Sequence, residues 1–149
     1  MTDESPIARA VSLLDACGTA RRQTLVGCSE EEIQTIESET GNRLPGAYRH
    51  FLQATGHSAG DFMVGTDVFF NELPSLRSGA DDLVAEGECP PLPPTAFVFA
   101  GNQGYSFLFF DVLGGEDPQV LRWEEGETTF TQVADHFSDW LLSFVQEYI

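Results

Sequence analysis

The sequence predicts an α+β fold: an antiparallel-rich central sheet with helices packed on it, in a single domain. Three stretches carry that expectation. Two apolar runs, 95–101 and 105–112, flank a Gly-Asn-Gln-Gly turn and read as paired strands. A helical pair joined at a proline spans 29–56, and a helix rich in aromatic residues spans 132–148. At 149 residues the chain fits one domain. That length is enough to bury a core without disulfide or metal staples.

In order, Ile7, Ala10, Val11 and Leu14 recur at helical spacing, with Ser5-Pro6 as a start and Gly18 as a stop. They predict an amphipathic helix over 6–17. Segment 1–28 reads as an N-terminal helical extension to a domain over 29–149. Ser29 and Glu32 have the spacing of a capping box, and Glu30, Glu31 and Glu32 put negative charge at the positive end of a helix dipole. Ile33 and Ile36 supply the apolar stripe, and Gly41 can take the left-handed conformation that ends a helix. Pro45 suits the first position of a second helix, which carries Tyr48, Phe51 and Leu52 on one face and closes at Gly56.

A polar loop over 57–60 leads to FMVGTDVFF (62–70), read as one or two short strands. A turn at Pro74 and a short helix near 80–86 follow. CPPLPP (89–94) is a stiff extended connector. The two strong runs are apolar on both faces, the pattern of strands covered on both sides, with one aromatic face left open as a binding surface as the alternative. A turn at 113–118, a third strand at 119–123 and an acidic turn at 124–128 come next. In the last helix Val133, Phe137, Trp140, Leu141, Phe144, Val145 and Tyr148 form the apolar stripe.

Asp and Glu number 24 against 7 basic residues, all Arg, for a formal charge of −17. Phosphate backbones and anionic lipid repel such a chain, which argues against nucleic-acid and membrane-surface binding. A basic protein surface would attract it. Cys17, Cys28 and Cys89 are odd in number and include no C-x-x-C pair, which fits a reducing compartment. No secretory signal is visible, and no apolar run approaches the ~20 residues of a membrane span. The expected location is cytoplasmic.

No catalytic set, metal site or cofactor motif emerges. His50, His57 and His136 lack H-x-x-x-H spacing. Cys28 and Cys89 have no neighbour that would lower their pKa, and the Gly-Asn-Gln-Gly turn lacks the lysine and helix of a phosphate loop. Adjacent carboxylates on loops are solvated charge more often than cation ligands. The reading is a non-enzymatic binder, with a small hydrolase or metal-dependent enzyme as the class a hydrolase screen or metal titration would revive. Acid concentrates in two segments of loops and strand ends, where binding residues gather. The candidate partner-binding residues are Asp61, Asp67, Glu72, Asp81, Asp82, Glu86 and Glu88 in the first segment. In the second they are Glu116, Asp117, Glu124, Glu125 and Glu127.

The order Gly41, Leu44, Pro45, Tyr48, Phe51, Leu52, Gly56 resembles the signature of the SUKH superfamily, the Smi–Knr-like proteins. The second half agrees in order: Phe97-Val98-Phe99, the turn 101–104, Phe107 to Asp111, Asp117-Pro118, Val120 to Glu124 and Phe137 to Leu142. The likeness covers about 30–149 and departs at Gln103. It implies a SUKH-like fold and an immunity protein, one that binds and neutralises a cognate bacterial toxin, often a nuclease. The alternative it implies is a regulatory scaffold of the Smi–Knr type. A toxin with a basic surface is the expected partner.

Overall fold

The computed structural model describes residues 5–20, 22–59, 62, 68–102 and 105–148. Helix α1 (Pro6–Ala20) begins where the Ser5 hydroxyl accepts the Ala8 amide at 3.3 Å. It runs through Gly18 instead of stopping there. Gly18 is buried, its carbonyl accepts the Gln23 amide at 2.8 Å, and a methyl group at this position would crowd the Gln23 carbonyl at 3.2 Å. The glycine lets the returning chain pass close, and the turn falls later, at Arg22 with φ 57°.

A short strand β1 (Leu25–Val26) pairs antiparallel with β2 (Ser58–Ala59), inside the segment expected to be loop. Between them lie α2 (Glu30–Thr40) and α3 (Gly46–Thr55). The capping box is present: the Glu32 amide donates to Ser29 Oγ at 3.2 Å, and the Ser29 amide donates to Glu32 Oε1 at 2.9 Å. Gly41 ends α2 at φ 73°. Pro45 occupies the cap position of α3, one residue before the place expected for it. Arg49 on α3 binds Glu30 and Glu37 on α2 and ties the two helices together.

Only the ends of 62–70 are described, and neither is strand. Phe62 is a buried turn residue, and Val68 leads to a 3-10 turn at Phe70–Glu72. Helix α4 (Leu73–Ala85) then covers both the expected turn and the expected short helix. Pro74 starts this helix and does not break it, because an amide missing in the first turn costs nothing. The main sheet is antiparallel in the order β3 (Ala96–Asn102), β4 (Ser106–Asp111), β5 (Val120–Glu124), β6 (Thr131–Ala134). Strand β6 was not expected. Val133, assigned above to the last helix, lies on this edge strand and is 38% exposed. Helix α5 spans Phe137–Tyr148, and Phe144 on it is also partly exposed.

Each face of the sheet has its own core. On one face Phe97, Phe99, Phe110 and Val120 pack with α1, α3 and α5. Tyr48 sits at the centre, its ring 5.1 Å from Phe110 and 5.4 Å from both Phe97 and Phe137. Such ring pairs contribute about 0.5–1.5 kcal/mol each beyond area burial. On the other face Val98, Phe107, Phe109 and Trp123 pack beneath α4, with Cys89 and Leu92 of the proline-rich connector joining them. A bulge between Val98 and Ala100 shifts the strand register and puts Ala100 on the α5 side. The sheet is covered on both sides, as the doubly apolar strands predict, and the fold is α+β.

Candidate functional site

The acidic residues fall into two settings. The first is the turn from β4 to β5. Glu116 Oε2 accepts the Gly46 amide at 2.8 Å and the Glu116 carbonyl accepts the Ala47 amide at 2.9 Å, both at the N-terminus of α3. Asp117 Oδ1 accepts the Ser138 amide at 2.9 Å, and Oδ2 accepts the Ser138 hydroxyl, at the N-terminus of α5. The Asp117 carbonyl holds His136 Nδ1 at 2.8 Å. That bond, helped by the charges of Asp117, Asp139 and Asp135, raises the His136 pKa. A carboxylate at a helix N-terminus satisfies orphan amides and meets the positive end of the dipole. Glu116, though exposed, and half-buried Asp117 are thus both engaged in bonds that hold the fold.

The second setting is α4 together with the segment joining β5 to β6. Asp81, Asp82, Glu86 and Glu88 are exposed along α4 and just past its end. Asp81 accepts from Arg77 at 3.0 Å, and Arg77 also donates to the Ala96 carbonyl. Glu124 and Glu125 are exposed. Glu127 is half-buried: its carbonyl accepts Trp123 Nε1 at 3.1 Å, and its carboxylate lies 3.7 Å from Arg122. Leu83 and Val84 of α4 and Phe130 of the β5–β6 segment pack on the same core around Trp123. The α4 carboxylates thus border the face that α4 covers, whereas Glu124, next to Trp123 on β5, lies on the α5 side beside Trp140 and Phe144; the arginines of both segments are already ion-paired. Glu72 is half-buried at the cap of α4. Asp61 and Asp67 lie outside the described residues.

Beside α4 runs a cleft of about 360 Å³ between α2, the start of α4 and β3. Ile36, Leu73, Phe97 and Val112 make it mostly apolar, and Glu39 and Arg77 stand in its lining. It could take an apolar side chain next to the acidic face.

One constellation escaped the sequence reading. Cys28, Glu32 and His57 bring a sulfur, a carboxylate oxygen and a ring nitrogen within 4.8 Å of one another. His57 Nε2 lies 2.7 Å from Glu32 Oε2. Burial, then the charge of Glu32, pushes the Cys28 thiol up to about 11, so it is no nucleophile at neutral pH. Glu32 is held below its ordinary value, first by the Ser29 amide and further by His57. The capping-box spacing located Glu32, but nothing local ties it to a histidine 25 positions on.

The sequence comparisons can now be set against this geometry. Residues 27–143 match the SMI1 / KNR4 family (SUKH-1). The chain belongs to that family. The matched span runs from just after β1 into α5, so the SMI1 / KNR4 region contains both acidic settings, the cleft and the Cys28–Glu32–His57 group. No curated protein matches the chain. Among the described residues, no helix is long and apolar enough to cross a membrane.

Proposed function

We propose that this SUKH-1 protein is an immunity protein that binds a cognate bacterial toxin of nuclease type and masks its basic cleft. The observation that carries the reading is the set of exposed carboxylates on α4 and on the β5–β6 segment. There Asp81, Asp82, Glu86, Glu88, Glu124 and Glu125 stand exposed on a chain of formal charge −17. A nuclease must present cationic side chains to phosphate, and a complementary potential steers two such surfaces together. The adjoining apolar cleft supplies a place for a partner side chain, which gives affinity that charge alone does not. No catalytic step is required of the protein. Masking the cleft is sufficient.

The test is binding to the product of any toxin-like gene found directly upstream, measured at low and high salt. Steering of this kind speeds association about 10- to 1,000-fold and fades with ionic strength. Replacing Asp81, Asp82, Glu86 and Glu88 with their amides should slow association by at least about tenfold at low salt and weaken protection of a poisoned cell. An affinity that ignores both salt and these substitutions would refute the acidic-face mechanism. A pull-down that returns regulatory partners and no toxin would favour a scaffold.

A further inference from the structure

We propose that Cys28, Glu32 and His57 form a binding site for a thiophilic divalent cation, Zn²⁺ by preference, separate from the acidic face. The three residues come from three places: the linker after β1, the first turn of α2 and the chain just past α3. Each is fixed by the backbone. The Cys28 amide donates to the Leu52 carbonyl at 2.7 Å and the His57 amide to the Val26 carbonyl at 2.9 Å. Glu32 is locked in the capping box, which uses Oε1 and leaves Oε2 directed at the histidine. The His57 ring is steadied against Phe70 at 5.1 Å.

Two further observations point at the sulfur. A methyl group at Gly56 would stand 2.3 Å from Cys28 Sγ, so the absence of a side chain there is what admits the thiol. The Tyr48 hydroxyl is fully buried, has no hydrogen-bond partner among the described residues, and lies within electrostatic reach of Cys28. The phenol makes no hydrogen bond to the thiol and acts on it only as a buried dipole at longer range.

Sulfur, imidazole and carboxylate together suit Zn²⁺ and not Mg²⁺ or Ca²⁺, which take oxygen alone. On binding, the thiol proton leaves to solvent and the Nε2 proton shared with Glu32 moves by way of solvent to Nδ1, so that the sulfur, Nε2 and Oε2 each give a lone pair to the ion. With metal–nitrogen and metal–oxygen bonds of about 2.0 Å, the His57–Glu32 contact opens to roughly 3.3 Å. Glu32 and His57 are only about a third and a quarter exposed, so one coordination position still reaches water. The ion would clip α2 to the end of α3 and to the small β1–β2 sheet.

Cobalt titration of the full chain tests this. Co²⁺ should give a sulfur-to-cobalt charge-transfer band and intense tetrahedral d–d bands, both displaced by Zn²⁺. Cys28→Ser should abolish the charge-transfer band, His57→Gln should weaken binding at least about tenfold, and the double variant Cys17→Ser, Cys89→Ser should keep the band. Zn²⁺ at a hundredfold excess over its Kd should raise Tm by roughly 5–10 °C in the parent chain and less in His57→Gln. Because His57→Gln leaves the buried thiol in place, it carries the test even if Cys28→Ser folds poorly. The absence of a charge-transfer band in the parent chain, its survival in Cys28→Ser, or equal affinity in His57→Gln would each overturn the proposal.

Discussion

The turn from β4 to β5 and the segment from β5 to β6 sit at opposite ends of the same strands, and both are acidic. In the first, the Glu116 and Asp117 carboxylates meet the amides that open α3 and α5. In the second, Glu124 and Glu125 stay in water because no helix begins beside them. The backbone donors nearby, and not the charge itself, decide whether a carboxylate holds the fold together or faces a partner. A list of acidic residues mixes the two kinds.

The largest effect should come from the side chain that the first turn positions. Phe137 is fully buried, with its ring 5.3 Å from Phe99 and 5.4 Å from Tyr48. Phe137→Ala should cost about 3–5 kcal/mol in chemical denaturation. A loss below about 1 kcal/mol would mean that the turn does not anchor the core.

Next comes Asp117→Ala. It leaves the Ser138 amide and hydroxyl without their acceptor, and Ser138 is fully buried. The expected loss is about 2–3 kcal/mol, or a Tm lower by roughly 4–10 °C. The contrast between the two ends is sharpest in a matched pair. Glu116→Ala removes the acceptor of the Gly46 amide and should cost about 1 kcal/mol, whereas Glu125→Ala should stay within about 0.5 kcal/mol. Equal losses at the two positions would erase the distinction.

The same distinction explains which parts of the molecule were legible in the sequence. Strands β3 and β4 and the capped start of α2 were readable because their signals are local: apolar runs broken by glycine, and Ser29 three residues before Glu32. Strand β6 was not, because three of its four residues are exposed and nothing alternates. Its Val133 falls in step with the apolar stripe of α5, and so the expected helix began too early. Asp117, 21 residues away along the chain, sets the true start, which no local pattern could reveal. Glu116 caps α3 across 70 residues. The Cys28–Glu32–His57 group likewise needs the β1–β2 pairing to bring His57 back beside α2.

The smallest effect is one of sign. His136 gains its raised pKa mainly from the Asp117 carbonyl, with help from the surrounding carboxylates. A histidine whose pKa is higher in the folded state stabilises the fold in its protonated form. That contribution is fully present below the ordinary value of 6.5 and is lost as pH rises through the raised one. The Tm difference between the parent chain and His136→Gln should therefore be widest near about pH 5.5 and narrow toward about pH 8.5. The residue is exposed, so the difference should be small and should shrink further in salt. The same comparison in an Asp117→Ala background should narrow the difference only in part, because that variant keeps the carbonyl and removes only the helping charge. A difference that widened with rising pH would mean that His136 acts as a neutral acceptor, and the turn would then hold α5 through the Asp117 carboxylate alone.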